Sequence, residues 1–255
     1  MASAWTRTRM TTGGGTAKMA LIVLTDAALP DPLPVSRTRH GVPECETAAA
    51  VGLAIRERAA HAAWFEDLMA SSLGDLIGDD LGPAAYARAG AARFGYVIEA
   101  ELVDPLDLGH VQAAWALAKC VCEAAPGAVV LDVFGAQAHV GEEVAALDPD
   151  RAFRLMHEVA IMVDDAHPPC ATIVTRGLIK FGRPDLVVDR VPVDQVAGAA
   201  QLVREIAEAL ADGELLEPGD HIELPDDPGG FAVDVLPDDW REQLGLERGL
   251  LLTPS

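Results

Sequence analysis

Apolar and polar positions along the chain switch between two periods, and the switch points divide it into elements. Residues 19–25 (MALIVLT) are a short run of branched apolar side chains closed by a Pro-rich segment at 29–34, which predicts a buried strand. Over 44–72, Val51, Ile55, Ala59, Ala62, Phe65 and Met69 recur at steps of three and four, and this predicts a helix. Residues 74–83 (GDLIGDDLGP) interrupt it, and Pro83 stands where a first helical residue would for an Ala-rich helix over 84–94. A strand is predicted over 95–103 (GYVIEAELV). Asp107 then caps a helix reaching Ala125, with Val111, Trp115, Ala118 and Cys122 on one face, and Pro126-Gly127 ends it. Residues 128–134 (AVVLDVF) are the next strand. This strand, helix, strand unit is the clearest local architecture.

After a short helix near 150–156, strands at 158–163, 171–175 and 186–191 follow one another with no helix between them. A helix over 194–212 carries Val196, Ala199, Val203, Ile206, Ala207 and Leu210 on one side and stops at Gly213. Pro218-Gly219-Asp220 reads as a turn before short strands at 221–224 and 231–236, and 238–255 receives no assignment. Strands that run directly into strands argue against a purely parallel, doubly wound sheet. The expectation is a single α+β domain over 19–255, with a mixed or largely antiparallel sheet packed against helices. Its helical region spans about 44–93 and its sheet-containing region about 95–236. Residues 1–18, with three glycines at 13–15, read as a disordered tail, and Met19 would serve as a start.

Composition narrows the function. The 255 residues hold 40 Asp+Glu against 19 Lys+Arg, a formal charge of −21, yet half are apolar and mean hydropathy is +0.20, so intrinsic disorder is excluded. No stretch reaches the ~18 to 20 apolar residues of a membrane span, and the run at 19–24 is shorter than a signal h-region. Neither a membrane nor secretion is expected. The negative charge repels nucleic acid and anionic lipid and favours a basic protein partner. Cys45, Cys120, Cys122 and Cys170 show no metal spacing. Cys120 and Cys122, two apart on a helix, point away from each other, so reduced thiols in a cytoplasmic protein are the expectation.

Most familiar chemistries fail on inspection. Residues 13–19 (GGGTAKM) lack the glycine before Lys18 and the hydroxyl after it that a phosphate loop needs. Residues 157–161 (HEVAI) open like a zinc protease helix, but Ile161 stands where the second histidine belongs. The seven histidines (His40, His61, His110, His139, His157, His167 and His221) show no ligand spacing. His139 with Glu142 and Glu143 is the group best suited to proton transfer or a divalent ion. No serine stands in a GxSxG turn, while Cys45 or Cys170 would need a histidine from elsewhere in the fold to act as a nucleophile. The acidic doublets Asp79-Asp80, Glu142-Glu143, Asp164-Asp165, Asp226-Asp227 and Asp238-Asp239 match no calcium loop and read as solvated turns. No metal and no cofactor are expected.

One segment reverses the local charge. In 175–188 (TRGLIKFGRPDLVV), Arg176, Lys180 and Arg183 gather three cations into eight residues of an acidic chain. As a binding loop, it would offer those cations to a partner or an anionic ligand, with Phe181 as apolar anchor. As a turn between strands, Gly177 and Gly182 would supply positive φ and the cations would pair with the protein's own carboxylates. The matching residues Thr175, Gly177, Leu178, Lys180, Phe181, Gly182, Pro184, Asp185, Leu186 and Val188, with the following helix and PGD turn, resemble the C-terminal part of a bacterial domain-of-unknown-function family. That resemblance covers roughly the last third and implies a soluble bacterial α+β domain without assigned catalytic residues. Two functions remain open: a non-catalytic interaction protein of immunity-like or adaptor type, or a small-molecule enzyme or sensor. The second would hold an anionic ligand near Arg176, Lys180 and Arg183, with His139 or Glu142 moving protons.

Overall fold

The structure is a computed structural model and describes residues 3–8, 13–165, 169–224 and 227–254. The chain divides into two compact units, one of Met1–Thr6 with Lys18–Phe153 and the other of Arg7–Ala17 with Arg154–Ser255. Each is built round its own sheet, and both mix helices with mainly antiparallel strands, as the α+β expectation requires.

In chain order the first unit contains β1 (Thr16–Thr25), α1 (Arg37–His40), α2 (Glu46–Ala49), β2 (Gly52–Glu57), α3 (Arg58–Met69), α4 (Ser72–Leu81) and α5 (Pro83–Ala91). It continues with β3 (Phe94–Val103), α6 (Gly109–Ala124), β4 (Val129–Asp132), β5 (Gln137–Val140) and α7 (Gly141–Ala145). The sheet order is β2-β3-β1-β4-β5. Antiparallel pairing of β1 with β4 sets Ile22 opposite Leu131 and Leu24 opposite Val129. These four side chains share one face with Phe65, Leu68, Ile77, Ala85 and Ala89 of α3, α4 and α5. Leu21, Val23 and Val130 alternate to the other face and are equally buried. Helix α6 is buried on nearly its whole circumference and packs against β3, α1, α2 and α7.

The second unit holds β6 (Ala160–Asp164), β7 (Cys170–Arg176), β8 (Asp185–Pro192), α8 (Val196–Ala211), β9 (His221–Leu224), β10 (Asp227–Val235), α9 (Asp238–Leu244) and β11 (Gly249–Pro254). The sheet order is β6-β7-β8-β11-β10-β9, and β8 and β11 run parallel in an otherwise antiparallel arrangement. Val174 and Val187 lie side by side in β7 and β8 and pack with Leu236 and Leu246, flanked by Trp240 and Leu244. Helix α8 packs on β7 and β8 through its Val203, Ala207 and Leu210 stripe.

Three sequence expectations need correction. The helix expected over 44–72 is divided: the one-turn α2 covers Glu46–Ala49, and the longer α3 starts only at Arg58. Residues 52–57 are instead strand β2, paired with β3 so that Ile55 faces Tyr96 and Leu53 faces Ile98. Spacing at three and four is also compatible with alternation over so short a stretch, and β3 supplies the hydrogen bonds that decide it. The interruption expected over 74–83 is helix α4. The Ser71 hydroxyl accepts the Leu73 N–H at its start, and Gly74 is required by packing, since a Cβ there would lie 2.4 Å from the Met69 carbonyl oxygen. The tail expected over 1–18 carries ordered contacts in its described part. Trp5 is buried, its backbone N–H bonds the Gln112 side chain and its indole N–H bonds the Arg151 carbonyl, while β1 already begins at Thr16.

Candidate functional site

The charge-reversed segment forms the link between β7 and β8. Thr175 and Arg176 end β7, Leu178–Phe181 make one 3₁₀ turn, and Asp185 opens β8. Gly177 has φ +119° and Gly182 φ +68°, so both glycines do the work expected of them. At Gly177 a Cβ would also sit 2.4 Å from the Glu158 carbonyl oxygen.

The cations of the segment point inward. Lys180 is fully buried and its Nζ lies 3.2 Å from Glu158 Oε2, itself 1% exposed. Arg183 is 1% exposed and donates from Nε to the Glu214 carbonyl (2.7 Å) and from Nη2 to the Gly213 carbonyl (3.0 Å). Phe181 is fully buried, and Arg176, half-buried, donates to the Leu244 carbonyl. Arg7 arrives from the N-terminal segment, also buried, and donates to the carbonyls of Ala211 and Phe181. Two guanidiniums therefore meet carbonyls at and just beyond the C-terminus of α8, where the helix dipole is negative and the last carbonyls lack partners. This explains the local charge reversal. Arg176, Lys180, Phe181 and Arg183, the expected binding residues, form an internal brace, and three of the four are closed to a ligand or partner. Lys180 pairs with a carboxylate as the turn reading anticipated, and Arg176 and Arg183 donate to backbone oxygens.

Behind the turn Asp185 is buried. Its Oδ1 accepts the Thr175 hydroxyl (3.0 Å) and the Leu178 N–H (3.1 Å), while Thr175 Oγ1 accepts the Leu186 N–H (2.8 Å). Burial pushes its carboxyl up from 3.8 to about 7, against the opposing pull of these donors and of Arg176.

His139 lies in β5 opposite Val130, its ring edge-on to Trp115 at 5.3 Å; Glu142 accepts the Gly127 N–H (3.1 Å); and Glu143 is exposed. His167 and Asp226 lie outside the described residues. Among the described residues no group of three His, Cys, Asp or Glu is placed to hold a metal ion. Cys120 and Cys122 are buried, with burial raising both thiols, that of Cys122 to about 12, which disfavours the reactive thiolate at both. Cys45 stands by Thr47 (3.4 Å) and Asp107 (3.8 Å), with no histidine among these contacts, and Cys170 is half-buried in β7.

The first unit contains a polar cluster that the sequence did not announce. Glu123, near the end of α6, takes Arg39 at 2.6 Å, Lys119 at 3.2 Å and His40 at 3.3 Å. The Ser36 N–H donates to His40 Nδ1 (2.9 Å), which leaves the ring proton on Nε2, the atom facing Glu123. Lys119 also donates to the carbonyls of Ala145 and Leu147. The only hint in the sequence is the four-residue step from Lys119 to Glu123. A cavity of about 20 Å³ beside His40 and Lys119 has room for a water molecule at most. A shallower groove of about 440 Å³ lies over the sheet, with Lys18 of β1, Glu99 and Glu101 of β3, Gly52 and Phe134 around it.

Among the described residues burial removes four cations from solvent, Arg7, Lys119, Lys180 and Arg183, and three carboxylates, Asp132, Glu158 and Asp185. The chain's excess of negative charge thus lies on its surface. No helix among the described residues is long and apolar enough to cross a membrane. Comparison with family models, curated proteins and solved structures found no match.

Proposed function

We propose that the protein is a non-catalytic cytoplasmic interaction domain, of adaptor or immunity-like type, that binds a basic partner protein. The observation that carries this reading is the placement of charge. The few cations concentrated in one segment are consumed inside the fold, so the surface presents carboxylates to whatever approaches. Such a surface speeds encounter with a cationic protein and repels nucleic acid and anionic lipid. The small-molecule reading needed Arg176, Lys180 and Arg183 open to an anion, and burial of Lys180 and Arg183 leaves it without that site. The resemblance of residues 175–188 to a bacterial family of unknown function agrees with a bacterial source and adds no chemistry.

The test is sedimentation of the purified protein with basic proteins fractionated from a bacterial lysate, at about 50 and about 300 mM salt. The expected result is a complex of fixed stoichiometry that weakens as salt rises. A complex indifferent to salt, or none, overturns the reading.

A further inference from the structure

Strand β6 is the outermost strand of the second unit's sheet, and no described strand pairs with its outer side. Nine large hydrophobic side chains are exposed among the described residues, and two of them, Met162 and Val163, are adjacent in this strand. Register shows how they are disposed. Met162 is opposite Val174 and Val163 opposite Ile173, so the two point to opposite faces of the sheet. Val174 continues inward into the cluster with Val187, Leu236 and Leu246, and Ile173 is fully buried on the other face. On each face the buried apolar layer extends to β7 and ends at a β6 side chain that is 46% exposed. Natural edge strands are usually blunted by lysine, proline or a bulge, and β6 (AIMVD) contains none of these. Its one charged residue, Asp164, is followed by Asp165, and both are exposed.

We propose that β6 is a docking edge for an extended, basic segment of a partner protein, added to the sheet as a further strand; this rests on the interaction reading above and specifies its surface. The added strand would take the outward backbone groups of β6, cover Met162 on one face and Val163 on the other, and set its cations against Asp164 and Asp165. Charge selects the occupant. A second copy of this chain would bring another −21 to the same edge, whereas a Lys- or Arg-bearing strand is attracted to it. The other exposed apolar pair in sequence proximity, Val103 at the end of β3 and Leu106 just beyond it, offers no free edge, because β3 lies between β2 and β1 in its sheet.

The test uses the full chain and a labelled, end-capped peptide of about eight alternating valines and lysines. Its controls are a Val/Glu peptide and a Val/Lys peptide N-methylated at every second residue, which keeps the charge but cannot extend a ladder. Anisotropy should show binding of the first peptide alone, weakened about tenfold or more by Met162→Lys. Alternate N–H groups of an edge strand face away from its neighbour, so of Met162→Pro and Val163→Pro one leaves the β7 ladder intact. Thermal melts identify the folded variant, and that variant should lose binding. Amide exchange should slow in residues 160–164 when the peptide is bound. Equal binding of the N-methylated peptide, or salt-sensitive binding that the β6 variants leave unchanged, overturns the edge assignment and leaves the acidic-surface reading standing. Absence of binding overturns the assignment, and so does self-association of the wild type that the proline variant abolishes.

Discussion

Glu123 in the first unit and Asp185 in the second are both carboxylates held by the fold, and their surroundings drive them in opposite directions. Burial pushes Glu123 up, but Lys119, Arg39 and His40 around it outweigh that effect and hold it below its ordinary value. Asp185 has hydroxyl and N–H donors and the more distant Arg176, and burial wins, raising it to about 7. Glu123 keeps some contact with water, its side chain being 17% exposed, while Asp185 is shut in behind the turn. The number of full charges around a carboxylate and its access to water decide its state; the count of hydrogen bonds alone does not. In this acidic chain cations are scarce. Where they gather round one acid it stays ionised, and where Lys180 is committed to Glu158, Asp185 is left to neutral donors and the more distant Arg176.

The largest effect should come from breaking that commitment. Lys180→Met removes the ammonium beside the buried Glu158 carboxylate and should cost about 3–5 kcal/mol in urea unfolding. Replacing both partners, Lys180→Met with Glu158→Leu, should recover most of the loss, because no unpaired charge is then buried. If the double variant is as unstable as the single one, the pair is not an isolated unit of the brace. Arg183→Lys should cost about 2 kcal/mol, since one ammonium cannot reach both the Gly213 and Glu214 carbonyls in the geometry a guanidinium provides.

Asp185 gives the next effect, and it has a sign. The folded state holds its proton up to about 7, whereas the unfolded chain releases it near 3.8. Stability from this group is therefore fully present below 3.8 and is lost as pH rises through about 7, at up to about 1.4 kcal/mol per unit between. Asp185→Asn keeps an acceptor for Thr175 and Leu178 and has no charge to bury. Wild type and variant should be of similar stability near pH 4, with the variant more stable by about 1–3 kcal/mol at pH 8. A difference that does not change with pH would place the carboxylate in contact with more charge than its neighbours supply.

Much of the second unit was legible because its strands are short β-branched runs bounded by turn residues. The strands at 158–163, 171–175 and 186–191 and the helix ending at Gly213 all appear within a few residues of the expected positions. Residues 44–83 were not legible in this way. Alanine and glycine there carry little periodic signal, and pairing with β3, some forty residues away, turns 52–57 into a strand. The candidate site was legible as a composition anomaly with two readings, and the buried cations agree with the turn between strands and not with an open binding loop. Three cations in eight residues do mark a special place, but the carbonyls they satisfy belong to the end of α8 and to α9, and Glu158 lies just before β6. The carbonyl partners are not visible as a motif, because backbone oxygens leave no trace in a sequence, and Glu158 meets Lys180 only through the fold.

The smallest expected effect lies at the other member of the pair. Glu123 is held below its ordinary value, so its contribution is present above 4.5 and is lost as pH falls through the lowered folded value. Glu123→Gln removes the charge but keeps an acceptor for Lys119 and His40. Partial exposure screens the cluster, so the loss at pH 7 should be about 1 kcal/mol and should shrink as pH falls through the lowered folded value, where the wild-type carboxyl takes up its proton as well. The same substitution should also make the remaining stability less sensitive to added salt, because the ion pairs with Arg39 and Lys119 are then absent. Thermal melts of both proteins across a pH series from 7 into the acid range, each at two salt concentrations, separate these terms. A loss that persists at low pH would mean that Glu123 matters through its shape and hydrogen bonds, and the contrast with Asp185 would then no longer be one of charge.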